Sequence, residues 1–379
     1  MIEIPLSAPD INEEDIAAAS DVLRTSQLSR GPRVEQFEHA MAAYIGVPYA
    51  VAVSSGTAAL HLALVALGIG LGDEVIVPSF AFVAVASAVL YAGARPVFVD
   101  VGAESLNISP NAVEAAMTPR TRAIIAVHTF GRPADLPALV EIAERHKLVL
   151  IEDACEAIGA EIGGRRVGSY GSAAVFGFYP NKQITSGEGG MAVTPHAETA
   201  DRMRALRNHG RYERQSAGAE AGGGWLDHVE LGYNYRLTEM QAALGVAQLG
   251  RIDGILARRE AIARRYEDLL GGDPGIQLPA LEIPGQRLSW FVYVVRLMQA
   301  DRDRVMHAMA DAGIATGRYF APIHLQPAFA AWRGPKPLPN TEQAAARTLA
   351  LPFFNRITGE QIERVCSTLQ QAMRAAGQG

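Results

Sequence analysis

The sequence has few of the features that are typical of exported, membrane-spanning or nucleic-acid-binding proteins. Only two of its 379 residues are cysteines, too few for a disulfide framework or a cysteine zinc site, so a reducing cytoplasm fits best. A formal net charge of -6 lacks the basic excess that binding to a phosphate backbone requires. The longest apolar stretch, roughly residues 81–94, is too short to cross a bilayer, and the N-terminal MIEIPLSAPD has no basic segment followed by an apolar one. We therefore expect a cytoplasmic protein with neither nucleic acid nor membrane among its partners.

The hydrophobic pattern indicates the fold class. Hydrophobic residues make up 49% of the chain and charged residues 20%, which is typical of a globular chain long enough for two domains. Over residues 49–153 the pattern alternates between short apolar runs, which predict strands, and segments with helical spacing. Such alternation predicts an α/β fold with a mainly parallel central sheet between helices.

In a parallel sheet of this kind, ligands bind beyond the carboxyl ends of the strands. The predicted strands end at, or are followed by, Ser54, Pro78, Asp100, His128 and Asp153. We therefore expect the loops that carry these residues to converge on one cleft.

The rest of the chain is predicted to form an N-terminal arm and a smaller C-terminal domain. Residues 1–12 look extended, and Asn12 is suited to cap a first helix. Thr238 begins a capping box that leads into a long helix, whereas the glycine-rich residues 215–224 predict an exposed loop. We predict a large domain over residues 1–250 and a small α+β domain over residues 251–379.

A lysine stands between two predicted strands in residues 173–193, AAVFGFYPNKQITSGEGGMAV. Pro180 and Asn181 precede Lys182 and a glycine cluster follows it, and both features favour tight turns that hold a side chain in place. Lys182 is therefore the first candidate nucleophile. An ordinary surface lysine in a hairpin loop would have the same local pattern.

Asp153 ends the apolar run LVLIED, which predicts a carboxylate at the mouth of the sheet. A buried carboxylate is costly unless it meets a cation, and the protonated ring nitrogen of pyridoxal phosphate is one such cation. Asp153 could equally cap the turn or helix that follows. Because it precedes Lys182 by 29 positions, the two residues fall on neighbouring loops if the strand assignment holds.

Residues 54–57, SSGT, join a predicted strand to a predicted helix. Amides at a helix N-terminus, the close approach that Gly56 permits and the hydroxyls of Ser55 and Thr57 all suit a phosphate. The stretch is neither a Walker A loop nor a GxGxxG fingerprint, which argues against a nicotinamide dehydrogenase. A plain helix N-cap would look similar.

Aromatic and basic residues elsewhere have two interpretations each. Phe82 could stack on a flat heterocycle or belong to the core. Arg236, which follows Asn234 in the motif GYNYRLTEMQAALG, could bind a phosphate or carboxylate, or form a structural salt bridge. The histidines show no metal-ligand spacing such as HExxH, so we assign no metal.

Four motifs, SSGTAALH, IEDACEAIGA, FYPNKQITSGEGG and LGYNYRLTEMQAALG, occur in this order along the chain. Over nearly the whole chain they resemble the DegT/DnrJ/EryC1/StrS aminotransferases, the sugar aminotransferase branch of the fold-type I pyridoxal phosphate enzymes. The resemblance implies that Lys182 binds the cofactor covalently and that Asp153 pairs with its pyridine nitrogen. The implied cofactor-binding residues are Ser55, Gly56, Thr57, Phe82, Asp153, Glu156, Lys182, Asn234 and Arg236.

The resemblance also implies a reaction and an assembly. An amino group would pass from L-glutamate to a keto-sugar nucleotide for deoxyaminosugar or polysaccharide biosynthesis, with the freed amine of Lys182 as general base. Asn234 and Arg236 would reach into the neighbouring subunit's site, so the active unit would be a homodimer. The loops at residues 27–33, 211–224 and 318–326 are expected to contact the acceptor. The candidate substrate-binding residues are Arg30, Arg318, Tyr319 and His324.

Three positions depart from the commonest family pattern. Gly177 stands where a serine usually contacts the phosphate, and Tyr179 stands where a histidine is frequent. Glu156 stands where many members carry Gln or His, as it often does in members that act on GDP-linked 4-keto-6-deoxy sugars. This position favours a 4-keto-6-deoxy sugar as the acceptor.

Other functions stay open at this point. The acceptor could be a 3-keto sugar or a carbocyclic ketone, and a non-catalytic regulatory protein could have the same fold. A sugar 3-dehydratase is disfavoured, because the related dehydratases carry a histidine at the position of Lys182.

Overall fold

A computed structural model describes residues 2–212 and 227–376, so the predicted exposed loop at residues 215–224 lies outside the described residues. The strands are β1 (Tyr49–Val53), β2 (Glu74–Pro78), β3 (Arg95–Val99), β4 (Thr121–Val127), β5 (Val149–Asp153), β6 (Glu161–Ile162), β7 (Arg165–Arg166), β8 (Ala173–Gly177), β9 (Gly190–Thr194), β10 (Ile276–Gln277), β11 (Gln286–Arg287), β12 (Tyr293–Leu297) and β13 (Thr348–Leu351). The helices are α1 (Glu13–Leu23), α2 (Pro32–Ile45), α3 (Gly56–Ala66), α4 (Ala84–Tyr91), α5 (Pro110–Ala116), α6 (Leu136–His146), α7 (Ala197–Leu206), α8 (Glu239–Gly250), α9 (Ile252–Leu270), α10 (Arg302–Asp311), α11 (Pro339–Arg347) and α12 (Gly359–Ala376). Short 3-10 helices occur at Thr129–Gly131, Ile323–Leu325 and Pro327–Trp332.

Local sequence signals explain where helices begin. The Asn12 side chain accepts a hydrogen bond from the Asp15 amide (2.9 Å), and the Asp15 carboxylate accepts one from the Asn12 amide (3.0 Å). A second capping box, between Thr238 and Gln241, begins α8 as predicted. In both cases the side chains satisfy amides that the helix itself leaves without partners.

The central sheet has seven strands in the order β1-β9-β8-β5-β4-β2-β3. The strands β2, β3, β4, β5 and β8 run parallel, whereas β9 is antiparallel to both of its neighbours. The predicted mainly parallel sheet is therefore confirmed. Since β5 and β8 are adjacent, the residues that follow them meet at one edge of the sheet.

Helices cover both faces of this sheet. Ala50 and Ala52 of β1 pack in a core cluster with α2, α6 and α8, whereas Val51 and Val53 pack on the opposite side with α3, α4 and α7. Burial on both faces explains why these strands have continuous apolar sequences instead of alternating ones.

A second core lies near the C-terminus, between the three-stranded sheet β10-β12-β13 and the helices α10 and α12. The long helix α9 contributes to both cores, because Ile252 and Leu256 pack in the large one and Tyr266 packs in the small one. The N-terminal arm also reaches the small core, where Ile4 pairs with Ile314. The division at residues 250 and 251 therefore stays a proposal.

No helix among residues 2–212 and 227–376 combines the length and apolar character needed to cross a membrane. Cys155 and Cys366 are both free thiols.

Candidate active site

Lys182 lies in the loop between β8 and β9, beyond the carboxyl end of β8. The Lys182 amide donates a hydrogen bond to the Tyr179 carbonyl oxygen (2.9 Å), and the side chain is only 15% exposed. Its Nζ lies 3.7 Å from Glu156 Oε1 and 4.0 Å from the centroid of the Phe291 ring. The side chain is therefore held by a carboxylate and an aromatic face, which a surface lysine in a hairpin loop would lack.

Asp153 is the last residue of β5 and is 8% exposed. Its Oδ1 accepts a hydrogen bond from the Cys155 amide (3.1 Å), so the carboxylate caps the turn that follows. This contact uses only part of the acceptor capacity of a carboxylate. Asp153 therefore combines a capping role with the capacity to meet a cation at the mouth of the sheet.

Glu156 is a buried carboxylate between Lys182 and the turn at Thr129–Gly131. Its Oε2 accepts a hydrogen bond from the Phe130 amide (2.9 Å), while Oε1 faces Lys182 Nζ. Burial raises the pKa of Glu156 above its usual value; Lys182 and the Phe130 amide oppose this shift, and the nearby Asp153 adds to it. The Lys182 amine and the carboxylates of Asp153 and Glu156 thus lie close enough for each to influence the charge of Glu156.

The N-terminus of α3 presents backbone donors. Ser55 is its N-cap, and the Ser55 hydroxyl accepts a hydrogen bond from the Ala58 amide (3.1 Å). Among the residues that the structure describes, no acceptor meets the amides of Gly56 and Thr57. The plain N-cap interpretation therefore applies to Ser55, whereas Gly56 and Thr57 offer N–H groups that suit a phosphate.

Cys155 fills the space between Gly56 and Gly177. A Cβ atom at Gly56 would lie 2.8 Å from Cys155 Sγ, and one at Gly177 would lie 3.3 Å from it. Burial raises the pKa of the Cys155 thiol well above its usual value, and the Asp153 carboxylate adds to the shift. A steric effect thus explains why position 177 is a glycine: the Cys155 sulfur occupies part of the space that a serine side chain there would need.

Two aromatic side chains in loops that follow strands of the central sheet are exposed. Phe82, in the loop between β2 and α4, is 61% exposed, so it does not belong to the core. Tyr179, three residues before Lys182, is 52% exposed. Both rings are available to stack on a flat ligand or to meet another subunit.

Arg236 and Arg30 line one pocket of about 210 Å³. Arg236 Nη1 donates a hydrogen bond to Asn208 Oδ1 (2.9 Å), and Asn208 is paired through its backbone with Asn234. The contact is to a neutral amide oxygen, so the remaining guanidinium donors can serve an anion. The structure thereby brings Arg30, Asn234 and Arg236 together.

The structure separates the other substrate-binding candidates. Tyr319 lies beside the site, with its ring centroid 6.4 Å from that of Phe291. Burial and the Glu156 carboxylate raise the pKa of Tyr319, and the side chain of Asn181 opposes that shift. Arg318 is 54% exposed, and its Nη2 lies 3.1 Å from Asp303 Oδ1. Arg318 and Tyr319 are adjacent in sequence but therefore have different surroundings. Most of the candidate loop at residues 211–224 lies outside the described residues.

His324 is buried and already has protein partners. Its Nδ1 lies 2.7 Å from Ser79 Oγ, and its Nε2 lies 3.4 Å from Glu342 Oε1. Burial lowers the pKa of His324, and Glu342 opposes the shift. These contacts give the histidine a role in joining the Ile323–Leu325 turn to the end of β2.

Two of the five residues at strand ends, Asp100 and His128, contact other parts of the protein instead of the expected cleft. Asp100 Oδ1 accepts a hydrogen bond from the Thr341 amide (2.8 Å) at the start of α11. His128 is fully buried, and its Nε2 lies 3.2 Å from Glu152 Oε2. Position at the end of a strand thus does not decide whether a side chain reaches the cleft. Conversely, Phe291 beneath Lys182 has no signal in the sequence, since SWFVYVVRL reads as an ordinary strand.

The donor set fits pyridoxal phosphate. Lys182 can bind its aldehyde carbon, the buried Asp153 can meet its ring cation, and the amides of Gly56 and Thr57 can meet its phosphate. The fold and the site define a fold-type I, pyridoxal phosphate-dependent transaminase. The chain belongs to the DegT/DnrJ/EryC1/StrS aminotransferase family, whose profile matches residues 9–370.

Similar proteins match nearly the whole chain. It is 38% identical to the spore coat polysaccharide biosynthesis protein SpsC of Bacillus subtilis (strain 168), across 98% of both chains. The structure of S. venezuelae DesV, in complex with a ketimine intermediate, is 39% identical, covers 98% of both chains and has a TM-score of 0.89. The putative sugar aminotransferase Spr1654 from Streptococcus pneumoniae, in its PMP form, is 28% identical, covers 99% of this chain and 100% of its own, and has a TM-score of 0.93. The family, fold and cofactor implied by the motifs are thus confirmed.

Gly56→Ala is expected to weaken binding of pyridoxal phosphate about tenfold or more. Its Cβ would lie 2.8 Å from Cys155 Sγ, and overpacking of this kind costs about 1–3 kcal/mol. With Cys155→Ala in addition, the nearest atom would be Gly177 Cα at 3.5 Å, an ordinary contact, so most of the affinity should return. Titration of the apoprotein with the cofactor, followed by absorbance, measures the dissociation constant of the cofactor for the single and the double variant. An equal loss with and without Cys155→Ala would contradict this steric account.

Proposed function

We propose that the protein transfers the amino group of L-glutamate to a nucleotide-linked keto-sugar of the 4-keto-6-deoxy class, for polysaccharide or deoxyaminosugar biosynthesis. The observation that carries this proposal is the placement of Lys182 Nζ between Glu156 and Phe291, one strand away from Asp153. The printed names of relatives support a sugar as the acceptor. SpsC is named for spore coat polysaccharide biosynthesis, and Helicobacter pylori PseC is described as an aminotransferase in the biosynthesis of pseudoaminic acid.

Lys182 is the proton-transferring residue of this proposal. Bound pyridoxal phosphate supplies an electron sink for the carbanion that forms when a proton leaves the Cα of the donor. Lys182 Nζ accepts that proton in the first half-reaction and returns a proton to the sugar carbon in the second, a ping-pong scheme. Glu156 Oε1, 3.7 Å away, stabilises the ammonium form of Lys182 between these steps.

Other residues bind and orient. Asp153 keeps the ring nitrogen protonated, because a buried carboxylate favours a cationic neighbour. The amides of Gly56 and Thr57 would hold the phosphate at the positive end of α3, and Phe82 would stack on the ring. Tyr319, which lies beside Glu156, contacts the acceptor sugar.

We further propose a homodimer in which Asn234, Arg236 and Arg30 complete the partner's site. Val229 and Leu231, directly before this motif, are large and exposed apolar side chains, which are typical of a surface that another subunit covers. Arg236 uses its contact with Asn208 for orientation and keeps donors for an anionic group of the substrate.

The first experiment follows the absorbance of the purified holoenzyme before and after addition of L-glutamate. Conversion of the cofactor to its amine form, with release of 2-oxoglutarate, would support glutamate as the donor. Alanine and aspartate serve as competing donors. The converted enzyme is then offered 4-keto and 3-keto sugar nucleotides and a carbocyclic ketone. Reversion of the absorbance with a 4-keto-6-deoxy sugar nucleotide is expected, whereas reversion only with another acceptor would overturn the substrate assignment.

A further inference from the structure

A pocket of about 370 Å³ lies where the large domain meets the small one. On the large domain its wall is formed by residues 104–106, Thr129, Phe130 and Arg132. On the small domain the wall is formed by residues 277–280, Leu288, Trp290, Val292, Val294, Arg296 and Thr348. None of the residues assigned above to the cofactor lines this interdomain pocket. Its volume is in the range of sites that bind small molecules.

The wall on the small domain is a strand face. Val294 and Arg296 of β12, with Val292 directly before the strand, line the pocket, while Tyr293 and Val295 pack into the small core on the other side. This alternation is the two-residue period of a strand. Arg296 is therefore presented by a rigid element whose other face is buried.

The wall on the large domain is held by hydrogen bonds and contains strained backbone. Asn107 donates through Nδ2 to the Arg132 carbonyl oxygen (3.0 Å) and accepts through Oδ1 from the Thr129 amide (2.8 Å), which joins the two loops. Leu106 and Phe130 both have a φ angle of 58°. Bulky side chains rarely adopt this left-handed region, and such strain clusters at binding sites.

Two guanidinium groups converge in the interdomain pocket. Arg132 Nη1 lies 3.3 Å and Arg296 Nη2 lies 3.4 Å from one acceptor, the carbonyl oxygen of Glu104. Within the described residues, each guanidinium makes only this one side-chain hydrogen bond. Each has five N–H donors, so most of them have no protein acceptor in that part of the chain.

The charges around these two arginines favour an anion. Burial lowers the pKa of both guanidinium groups, and the Glu104 carboxylate opposes the shift. For Arg296, the like charges of Arg132 and Arg347 add to the lowering. A phosphate or carboxylate between Arg132 and Arg296 would relieve this repulsion and use the remaining donors.

We propose that the interdomain pocket binds a small molecule in which a phosphate group is joined to a flat heterocyclic body, and that its occupancy alters the surroundings of Lys182. Arg132 and Arg296 hold the phosphate, and Trp290 and Leu278 pack against the body. The Phe130 amide donates to Glu156 Oε2 (2.9 Å), and Glu156 faces Lys182. Movement of the strained Phe130 on binding would therefore change the contact between Glu156 and Lys182.

Calorimetric titration of the holoenzyme with three probes tests the site: inorganic phosphate, uridine and uridine monophosphate. The monophosphate is expected to bind more tightly than either fragment. Arg132→Ala and Arg296→Ala should each raise its Kd about tenfold or more, because charge-assisted hydrogen bonds are lost. Arg265→Ala, which removes an exposed arginine paired with Glu363, is the matched control and should leave the Kd unchanged.

Two more variants distinguish the interdomain pocket from the active site. Ala280→Trp should block the pocket without changing its charge, and it tests the site if an arginine variant is unstable. Arg236→Ala should leave the Kd unchanged if the probe binds in the interdomain pocket. Loss of binding only in Arg236→Ala, or no binding of any probe at millimolar concentration, would overturn the proposed site.

The link to Lys182 has a separate readout. The bound cofactor's absorbance should shift when the monophosphate binds, and binding without a shift would overturn the link to Lys182.

Discussion

Lys182→Ala is expected to lower kcat for the glutamate half-reaction by at least about 10⁴-fold. General acid–base catalysis alone contributes about 10²- to 10⁴-fold, and the same change also removes the amine that binds the cofactor covalently. The structure supports a large effect, because Lys182 Nζ is held between Glu156 and Phe291 instead of being free in solvent. Stopped-flow absorbance of the holoenzyme with L-glutamate measures the rate.

A second readout for Lys182 does not depend on activity. The chain has three lysines, Lys147, Lys182 and Lys336, so borohydride reduction followed by peptide mass spectrometry identifies the one that binds the cofactor. Lys336→Ala removes an exposed lysine and should change neither the labelling nor the rate. Labelling of Lys147 or Lys336 in the wild-type protein would refute the assignment of Lys182.

Asp153→Asn is expected to slow the same half-reaction by about 10²- to 10⁴-fold while the protein stays folded. The amide keeps an oxygen that can accept the hydrogen bond from the Cys155 amide, so the capping role survives and only the charge is lost. A buried cation left without its partner costs about 3–5 kcal/mol, and each 1.36 kcal/mol is a factor of ten in rate.

The measurements for Asp153→Asn are the half-reaction rate, the cofactor dissociation constant and the melting temperature. Asp21→Asn is the control, since Asp21 belongs to an exposed pair with Arg24. An unchanged rate together with an unchanged melting temperature would show that the carboxylate charge has no part in the reaction. A fall in melting temperature without a change in rate would restrict Asp153 to its capping role.

Much of the fold could be predicted from short-range patterns. The capping boxes at Asn12 and Thr238 involve side chains and amides three residues apart, so the local sequence is sufficient to identify them. The alternation of apolar strands and helices likewise predicts a parallel sheet, because strands buried on both faces need apolar residues at nearly every position. Lys182 and Asp153 could be chosen as candidates because Asp153 ends one such strand and Lys182 lies in the loop after another.

Contacts between distant segments could not be predicted in this way. Asp100 and His128 stand at strand ends just as Asp153 does, yet one caps α11 and the other pairs with Glu152. The serine missing at position 177 is explained only by the sulfur of Cys155, which the fold of the β5–α3–β8 region brings against it.

The sequence by itself determined the fold class through its periodicity, and its four ordered motifs were enough to propose Lys182 as the cofactor lysine and Asp153 as the carboxylate at the mouth of the sheet. Only the tertiary structure decided which neighbours these residues have. It placed the Phe291 ring 4.0 Å from Lys182 Nζ, and it brought Arg132 and Arg296 to the carbonyl oxygen of Glu104. The physical reason is that capping and periodicity act within a few residues, whereas these contacts depend on how two separately packed cores meet.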